Sequence, residues 1–219
     1  MAGIPQFFPE AASNAIASYD AVDLAEGAGR VNYLLANTLV SGSALTYFLT
    51  RSTLYSGNAE VSGSVSAAGL QSDTDFDLTY NLPQNLKGTV YVNVPHYVAS
   101  GDTASQTHYL KVKLRRWDGT TETEIASEVS KSITGTAGVG TATTIHSIPI
   151  VISGVQKYGV GETLRITIED WCSVHGGGTA GTYAYGIDPA DRTSDFLNKL
   201  SNTPGTSKST IFIPFKLDP

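Results

Sequence analysis

The sequence predicts an all-β domain, an antiparallel two-sheet sandwich of jelly-roll type with an extended N-terminal arm and at most one short helix. Three observations support this prediction. Charged residues make up only 16% of the 219 residues and glycine contributes 22, a composition that is atypical of helical bundles. Short stretches of alternating apolar and polar residues recur from Arg30 onward, as in half-buried strands. The spacing of βαβ units is absent, which argues against a parallel sheet.

The first 25 residues are predicted to form an arm, and residues 26–219 a single β-sandwich domain. The arm shows no sustained helical or strand period. Its apolar residues Phe7, Phe8 and Ile16 indicate an interface, because a free arm would be more polar. The arm can dock on its own domain or on a neighbouring subunit, and the sequence leaves both possibilities open.

Eight or more strands are predicted from the alternating pattern. They include RVNYLL, ALTYFL, AEVSGSVSA, DFDLTY, TVYVNV, ATTIHSIPIVIS, ETLRITIEDW and STIFIPFKL. In the strand ETLRITIEDW, Leu164, Ile166 and Ile168 point to one side of the sheet and alternate with polar residues. One short helix is predicted to begin at Asp188, followed by a proline at its first position. Its apolar stripe consists of Phe196, Leu197 and Leu200.

The clearest hairpin is centred on Asp118-Gly119. This pair is typical of a two-residue type I′ turn, which sets Trp117 opposite Thr120 and Arg115 opposite Glu122. Opposite charges then face each other across the ladder on the solvent side. The basic run before the turn is therefore interpreted as a solvated strand face rather than a phosphate-binding patch.

Charge and composition exclude several classes of function. The net charge of −6 and a pI near 5.1 lack the clustered basic residues that nucleic-acid binding needs. No apolar run is long enough to span a bilayer, so no membrane partner is predicted. Cys172 is the only cysteine, which rules out an internal disulfide and fits assembly in a cytoplasm.

Histidine and cysteine residues do not form a recognisable metal motif. Cys172 and His175 lie close together at the end of a strand, whereas His96, His108 and His146 lie in separate strands or loops. A zinc site needs three or four ligands. The sequence therefore predicts no metal site and no cofactor.

Acidic residues likewise give no catalytic signature. Asp73, Asp75 and Asp77 alternate along one strand and could hold a cation. The EF-hand spacing and its closing glutamate are absent, so a solvated strand face is expected and cation binding is left open. No carboxylate pair stands out as the acid and base of a glycan hydrolase. The sequence predicts no catalytic residue and no enzyme activity.

An alternative function is a carbohydrate- or receptor-binding β-sandwich module. Trp171, Tyr183 and Tyr185 flank a glycine-rich loop and could form an aromatic ligand platform for a sugar ring. The same alternation also fits core or interface packing of the two tyrosines.

Several longer strings together resemble structural proteins of tailed viruses of bacteria or archaea, and they cover most of the chain. They are AIASYDAVDLAEGAGRVNYLLAN, GTVYVNVP, KVKLRRWDGTTETEIAS, VGETLRITIE and IFIPFKLDP. The resemblance implies a virion structural protein, a capsid decoration or cement protein or another minor capsid subunit, assembled in the host cytoplasm. It implies other virion proteins as partners, the major capsid protein first, and a homo-oligomer, with a trimer favoured. It carries over no individual site residue.

Overall fold

The computed structural model describes residues 17–18, 28–40, 44–54, 57–101, 105–136, 138, 140–177, 180–192 and 206–216. Within these residues the chain forms thirteen strands and no helix, which confirms the predicted all-β class. The strands are β1 (Ala17–Ser18), β2 (Ala28–Val40), β3 (Ala44–Thr50), β4 (Glu60–Val65), β5 (Gly69–Thr79), β6 (Gln84–Ala99), β7 (Gln106–Trp117), β8 (Glu122–Val129), β9 (Ile133–Gly135), β10 (Thr141–Tyr158), β11 (Thr163–His175), β12 (Gly181–Gly186) and β13 (Thr210–Lys216).

The strands join into one mixed sheet. Its path runs β4-β12-β6-β13-β2-β3-β5-β11-β7-β8, while β1 pairs with β2, β10 with β6 and β9 with β7. The single parallel contact joins Phe48 of β3 to Asp77 of β5, and the other ladders in the described residues are antiparallel. The predicted antiparallel pairing therefore holds at every ladder but one.

Alternation along the central strands builds the core. Leu164, Ile166 and Ile168 of β11 are fully buried on one side, as predicted. On the other side of β11, Thr167 and Glu169 are also buried, because β11 lies between β5 and β7 and neighbouring charged side chains cover it. The strand is thus buried on both sides rather than half-buried.

The predicted hairpin forms, but the predicted two-residue turn is wrong. Trp117 pairs with Glu122, so four residues lie in the connection. The Asp118 carboxylate accepts hydrogen bonds from the backbone N–H groups of Thr120 and Thr121, at 2.9 and 2.8 Å. This side-chain turn replaces the shorter backbone turn, as aspartate often allows.

The register of this hairpin differs from the prediction as well. Arg115 lies opposite Glu124 instead of Glu122, after an irregularity between Leu114 and Arg115. Arg115 nevertheless donates a 2.9 Å hydrogen bond to Glu122 along the diagonal. The predicted contact between Arg115 and Glu122 therefore still forms, because long side chains reach diagonal neighbours.

Two predicted elements fall largely outside the described residues. These are the arm residues Phe7, Phe8 and Ile16 and the apolar helix residues Phe196, Leu197 and Leu200. Asp188, the predicted helix cap, accepts backbone hydrogen bonds from Ala190 and Arg192 and so closes a turn. In the described part of the chain no helix has the length and hydrophobicity to cross a membrane.

Candidate metal centre

Four strands place an ionisable side chain at one end of their buried apolar row. His96 follows Val92 and Val94 on β6, and Asp170 follows Ile166 and Ile168 on β11. His108 precedes Leu110 and Val112 on β7, and His146 precedes Ile148 and Ile150 on β10. Each of the four is in phase with the apolar residues of its strand, so its side chain points into the interior. The four residues are His96, His108, His146 and Asp170.

Asp170 joins two of the histidines. His96 Nε2 lies 2.7 Å from Asp170 Oδ2, and His108 Nδ1 lies 2.6 Å from Asp170 Oδ1. All three side chains are 0% exposed. On the other side of its ring, His96 Nδ1 lies 3.1 Å from Nε2 of His146. The result is a continuous chain of four polar groups through the interior.

The surroundings favour an ionised carboxylate at Asp170. Burial alone would raise its pKa, but hydrogen bonds from His108 and His96 outweigh burial and hold the pKa below the usual aspartate value. Hydrogen bonds to the charged form of a carboxylate have this effect. The interior therefore contains a negative charge whose partners are imidazoles.

His146 is the member of the cluster closest to solvent. Burial, reinforced by the nearby imidazole of His96, lowers the pKa of His146 from 6.5 to about 4, so this ring is neutral at pH 7. His146 also lines a groove of about 610 Å3 between β10 and the segment that connects β8 to β9. His146 is the one residue of the four that lines this groove.

His108 has one ring nitrogen that the protein leaves without a partner. Its Nε2 atom is buried and has no hydrogen-bond partner among the described residues. The His108 ring stacks on Tyr183 at a centroid distance of 6.1 Å and an interplanar angle of 25°. Stacking holds the ring so that its Nδ1 atom stays directed at Asp170.

The donor atoms suit a transition metal. One ligand atom each from His96, His108 and Asp170 lies within 4.8 Å of the other two. Imidazole nitrogen and carboxylate oxygen are ordinary zinc ligands at about 2.0 to 2.2 Å, which sets ligand atoms on one tetrahedral ion about 3.4 Å apart. To hold the ion, the direct hydrogen bonds would open by less than 1 Å, and the ligand atoms, which lie within 4.8 Å of one another, would converge on one centre.

The sequence prediction of no metal site did not anticipate this cluster. The sequence places His96, His108 and His146 in separate strands or loops; the structure places them on β6, β7 and β10, and the fold brings these strands together. The available signal was the phase of each residue within its apolar row. That signal shows that a side chain faces inward, and it does not show which inward-facing residues meet.

Cys172 and His175, which lie close together in the sequence, have separate hydrogen-bond partners. The Cys172 thiol is buried and donates to the carbonyl of Val174 at 3.2 Å, and burial and the charge of Asp170 raise its pKa. His175 Nδ1 instead accepts a hydrogen bond from the backbone of Gly177. Cys172 is therefore a neutral thiol in the core.

Two of the three residues of the possible aromatic platform are buried, in line with the alternative of core packing. Tyr183 and Tyr185 are 4% and 0% exposed, so their ring faces cannot receive a sugar. Tyr185 donates to Thr74 Oγ1 at 2.8 Å. Trp171 lies parallel to the ring of Tyr109 instead, with a centroid distance of 6.4 Å.

The alternating aspartates of β5 face a basic neighbour. Arg165 donates to both oxygens of Asp77, at 2.8 and 2.9 Å, and lies 3.4 Å from Asp75. Asp75 also accepts a hydrogen bond from Thr167. Because arginine already compensates Asp75 and Asp77, the predicted solvated strand face describes this row better than a cation site.

Comparisons with known proteins give little guidance. No family model matches the chain, and no curated protein matches it. Two structures of a CocE/NonD family hydrolase from Staphylococcus aureus match 84% of this chain, with TM-scores of 0.43 and 0.42 and identities of 11% and 12%. The chain spans 36% of that hydrolase. A structure of infectious bursal disease virus, Gx strain, matches 88% of this chain and 51% of its own, with a TM-score of 0.19 and 10% identity.

The prediction of a virion decoration, cement or minor capsid protein is corrected by this comparison. The hydrolase structures match with TM-scores of 0.43 and 0.42 and the viral structure with 0.19. The likeness to the hydrolase is too low to transfer its activity to this chain.

Proposed function

We propose that this chain is a β-domain that binds a divalent transition metal, zinc in the first instance, through His96, His108 and Asp170. One observation carries the proposal: three fully buried ligand atoms from three different strands lie within 4.8 Å of one another. Imidazole nitrogen and carboxylate oxygen are zinc ligands, and with three of them a tetrahedral ion has one further position to fill.

Charge balance supports a cation at this place. With neutral imidazoles, Asp170 leaves an uncompensated negative charge in the interior, and such a charge is costly to bury. A divalent ion supplies the missing positive charge. His146 supports the same arrangement, because a neutral ring at this position can accept the Nδ1 hydrogen of a metal-bound His96 and orient it.

The role proposed for the ion is structural. β6 and β10 share no ladder with β7 or β11 in the described residues, yet His96 touches Asp170 across the interior. An ion here would clamp these two groups of strands to each other, as the two layers of a jelly-roll-like sandwich would require. Because the ligands are fully buried, we propose no catalysis at this centre.

Calorimetric titration of the chelator-treated protein with zinc tests the proposal. We expect one ion per chain and a higher unfolding temperature, since a ligand that binds only the folded state stabilises it. Cobalt should give the visible absorption of a tetrahedral site. His108→Ala should lose both signals, and His175→Ala, which changes the histidine outside the cluster, should keep them.

Two results together would count against a metal site. A folded protein that takes up neither ion, and whose His108→Ala variant retains wild-type thermal behaviour with zinc, would contradict the proposal. The cluster would then be a proton-bridged network, in which one imidazole carries the positive charge that Asp170 requires.

A further inference from the structure

The outward side of β10 is an exposed apolar surface. Ile145 and Val151 are 49% and 68% exposed, and Pro149 between them is exposed too. Tyr91 of the neighbouring strand β6 lies directly opposite Pro149 and is 36% exposed. These four residues, Tyr91, Ile145, Pro149 and Val151, form the β10 face. Contiguous exposed apolar residues commonly mark an interaction site.

Strand β10 carries no charged side chain from Thr141 to Gln156, and the guanidinium of Arg30 lies 5.7 Å from the ring centroid of Tyr91 at the side of the β10 face. Residues 132–156 contain no Asp, Glu, Lys or Arg, although the chain as a whole carries a net charge of −6. Two copies of an acidic protein repel each other over most orientations. The uncharged residues of β10 can contact the same residues of a second copy without bringing like charges together.

We infer that the β10 face binds a second copy of this chain, about a two-fold axis. In an antiparallel arrangement with the axis near Ile148, residue numbers that face each other add to the same value. Ile145 of one copy then lies opposite Val151 of its partner, and Ser147 lies opposite Pro149. The two largest exposed aliphatic side chains of the strand thus meet each other twice, as an isologous interface requires.

The β10 face supplies part of the area that a standard dimer interface covers. β10 and β6 are paired without interruption from Thr141 with Ala99 to Ile152 with Gly88, a length of about 40 Å at about 3.4 Å per residue. Together with the strands on the far side of β6, a three-strand width of about 14 Å gives roughly 560 Å2 before side-chain relief. A standard interface covers about 800 Å2 per partner, so the β10 face supplies its centre.

The contact is expected to be face to face rather than edge to edge. Pro149 lacks a backbone donor, and the register breaks between Ile152 and Gln156. Both features interrupt the row of backbone groups that a further strand would need. The exposed side chains, and not the backbone groups at the edge of the strand, are therefore expected to contact the second copy.

Analytical ultracentrifugation over a concentration series tests this inference, with Val151→Glu as the disruptive variant and Val160→Glu as its control. Val160 is 67% exposed in a turn, so the two changes add the same charge at equally exposed valines. We expect a wild-type dimer whose dissociation constant rises at least about tenfold in Val151→Glu and stays unchanged in Val160→Glu.

A charge pair tests the symmetry directly. Ile145→Lys and Val151→Glu should each be monomeric, and a mixture of the two should dimerise again because the lysine of one copy faces the glutamate of the other. A wild-type chain that stays monomeric at about 100 μM, equal effects of the two glutamate variants, or a trimer that Val151→Glu leaves intact would overturn the inference.

Discussion

His96 and Asp170 are hydrogen-bonded at 2.7 Å although 74 residues separate them and no ladder in the described residues joins their strands. Both side chains are fully buried. Their contact connects β6 to β11 through the interior, where the neighbouring connections are apolar. Removing one partner of such a buried pair leaves the other uncompensated, which makes the pair a sensitive point of the fold.

Asp170→Asn is expected to lower the free energy of unfolding by about 3 to 5 kcal/mol, because the amide cannot accept from both imidazoles as the carboxylate does. Urea denaturation measures this change. Asp75→Asn is the matched control: its side chain is 36% exposed, and it should lose at most about 1 kcal/mol. Equal losses in both variants would show that the buried pair contributes no more than a surface contact.

The inward direction of these residues could be predicted from the sequence, but their meeting could not. His146 and Asp170 continue apolar rows on strands β10 and β11, so alternation alone indicates burial. Whether two inward side chains touch depends on how distant strands are arranged, and alternation contains no such information. The three proposed metal ligands lie on three separate strands and therefore leave no spacing motif of the kind that hairpins or helices produce.

Acid should destabilise the metal-free protein in a defined range. The pKa of His146 falls from 6.5 to about 4 on folding, so the unfolded chain binds more protons between these values. Its contribution is complete above pH 6.5 and is lost as the pH falls through about 4. The slope from one group cannot exceed about 1.4 kcal/mol per pH unit.

Chemical denaturation at several pH values measures this slope. His146→Gln should show a shallower loss of stability between pH 6.5 and 4 than the wild type, while His175→Gln should follow the wild type. Parallel curves for all three proteins would contradict the assignment to His146.

Two buried tyrosines test how much the hydrogen bond of a buried hydroxyl contributes to the free energy of unfolding. Tyr185 is fully buried and donates to Thr74, so Tyr185→Phe should cost about 1 kcal/mol. The hydroxyl of Tyr158 is buried without a hydrogen-bond partner among the described residues, so Tyr158→Phe should be neutral or stabilising. Thermal unfolding distinguishes them, and the reverse order would refute the contacts assigned to both rings.

Two turn glycines are expected to differ in their response to alanine: Gly119 lies between β7 and β8, and Gly159 lies between β10 and β11. Gly119 has a φ of 97° and open space around an added Cβ, so Gly119→Ala should cost about 1 to 2 kcal/mol through backbone strain alone. Gly159 lies outside the left-handed region, and an added Cβ there meets its nearest atom at 3.7 Å. Gly159→Ala should therefore change the unfolding free energy by less than about 0.5 kcal/mol.

The hairpin between β7 and β8 shows which features of a turn the local sequence predicts. Asp118-Gly119 correctly located the turn, because few other dipeptides favour one so strongly. The loop length was missed, since the Asp118 carboxylate binds the backbone of Thr120 and Thr121 and lengthens the turn. Tyr185 illustrates the same limit, because alternation allowed an exposed platform or a core position and only the packed fold decides between them.

Zinc-edge X-ray absorption of the zinc-loaded protein tests the metal centre most directly. We predict only nitrogen and oxygen neighbours at about 2.0 to 2.2 Å, with the imidazole scattering of two histidines and no sulfur, because Cys172 is not a ligand in this arrangement. A sulfur shell at about 2.3 Å, or a spectrum indistinguishable from that of hydrated zinc, would contradict a clamp made of His96, His108 and Asp170.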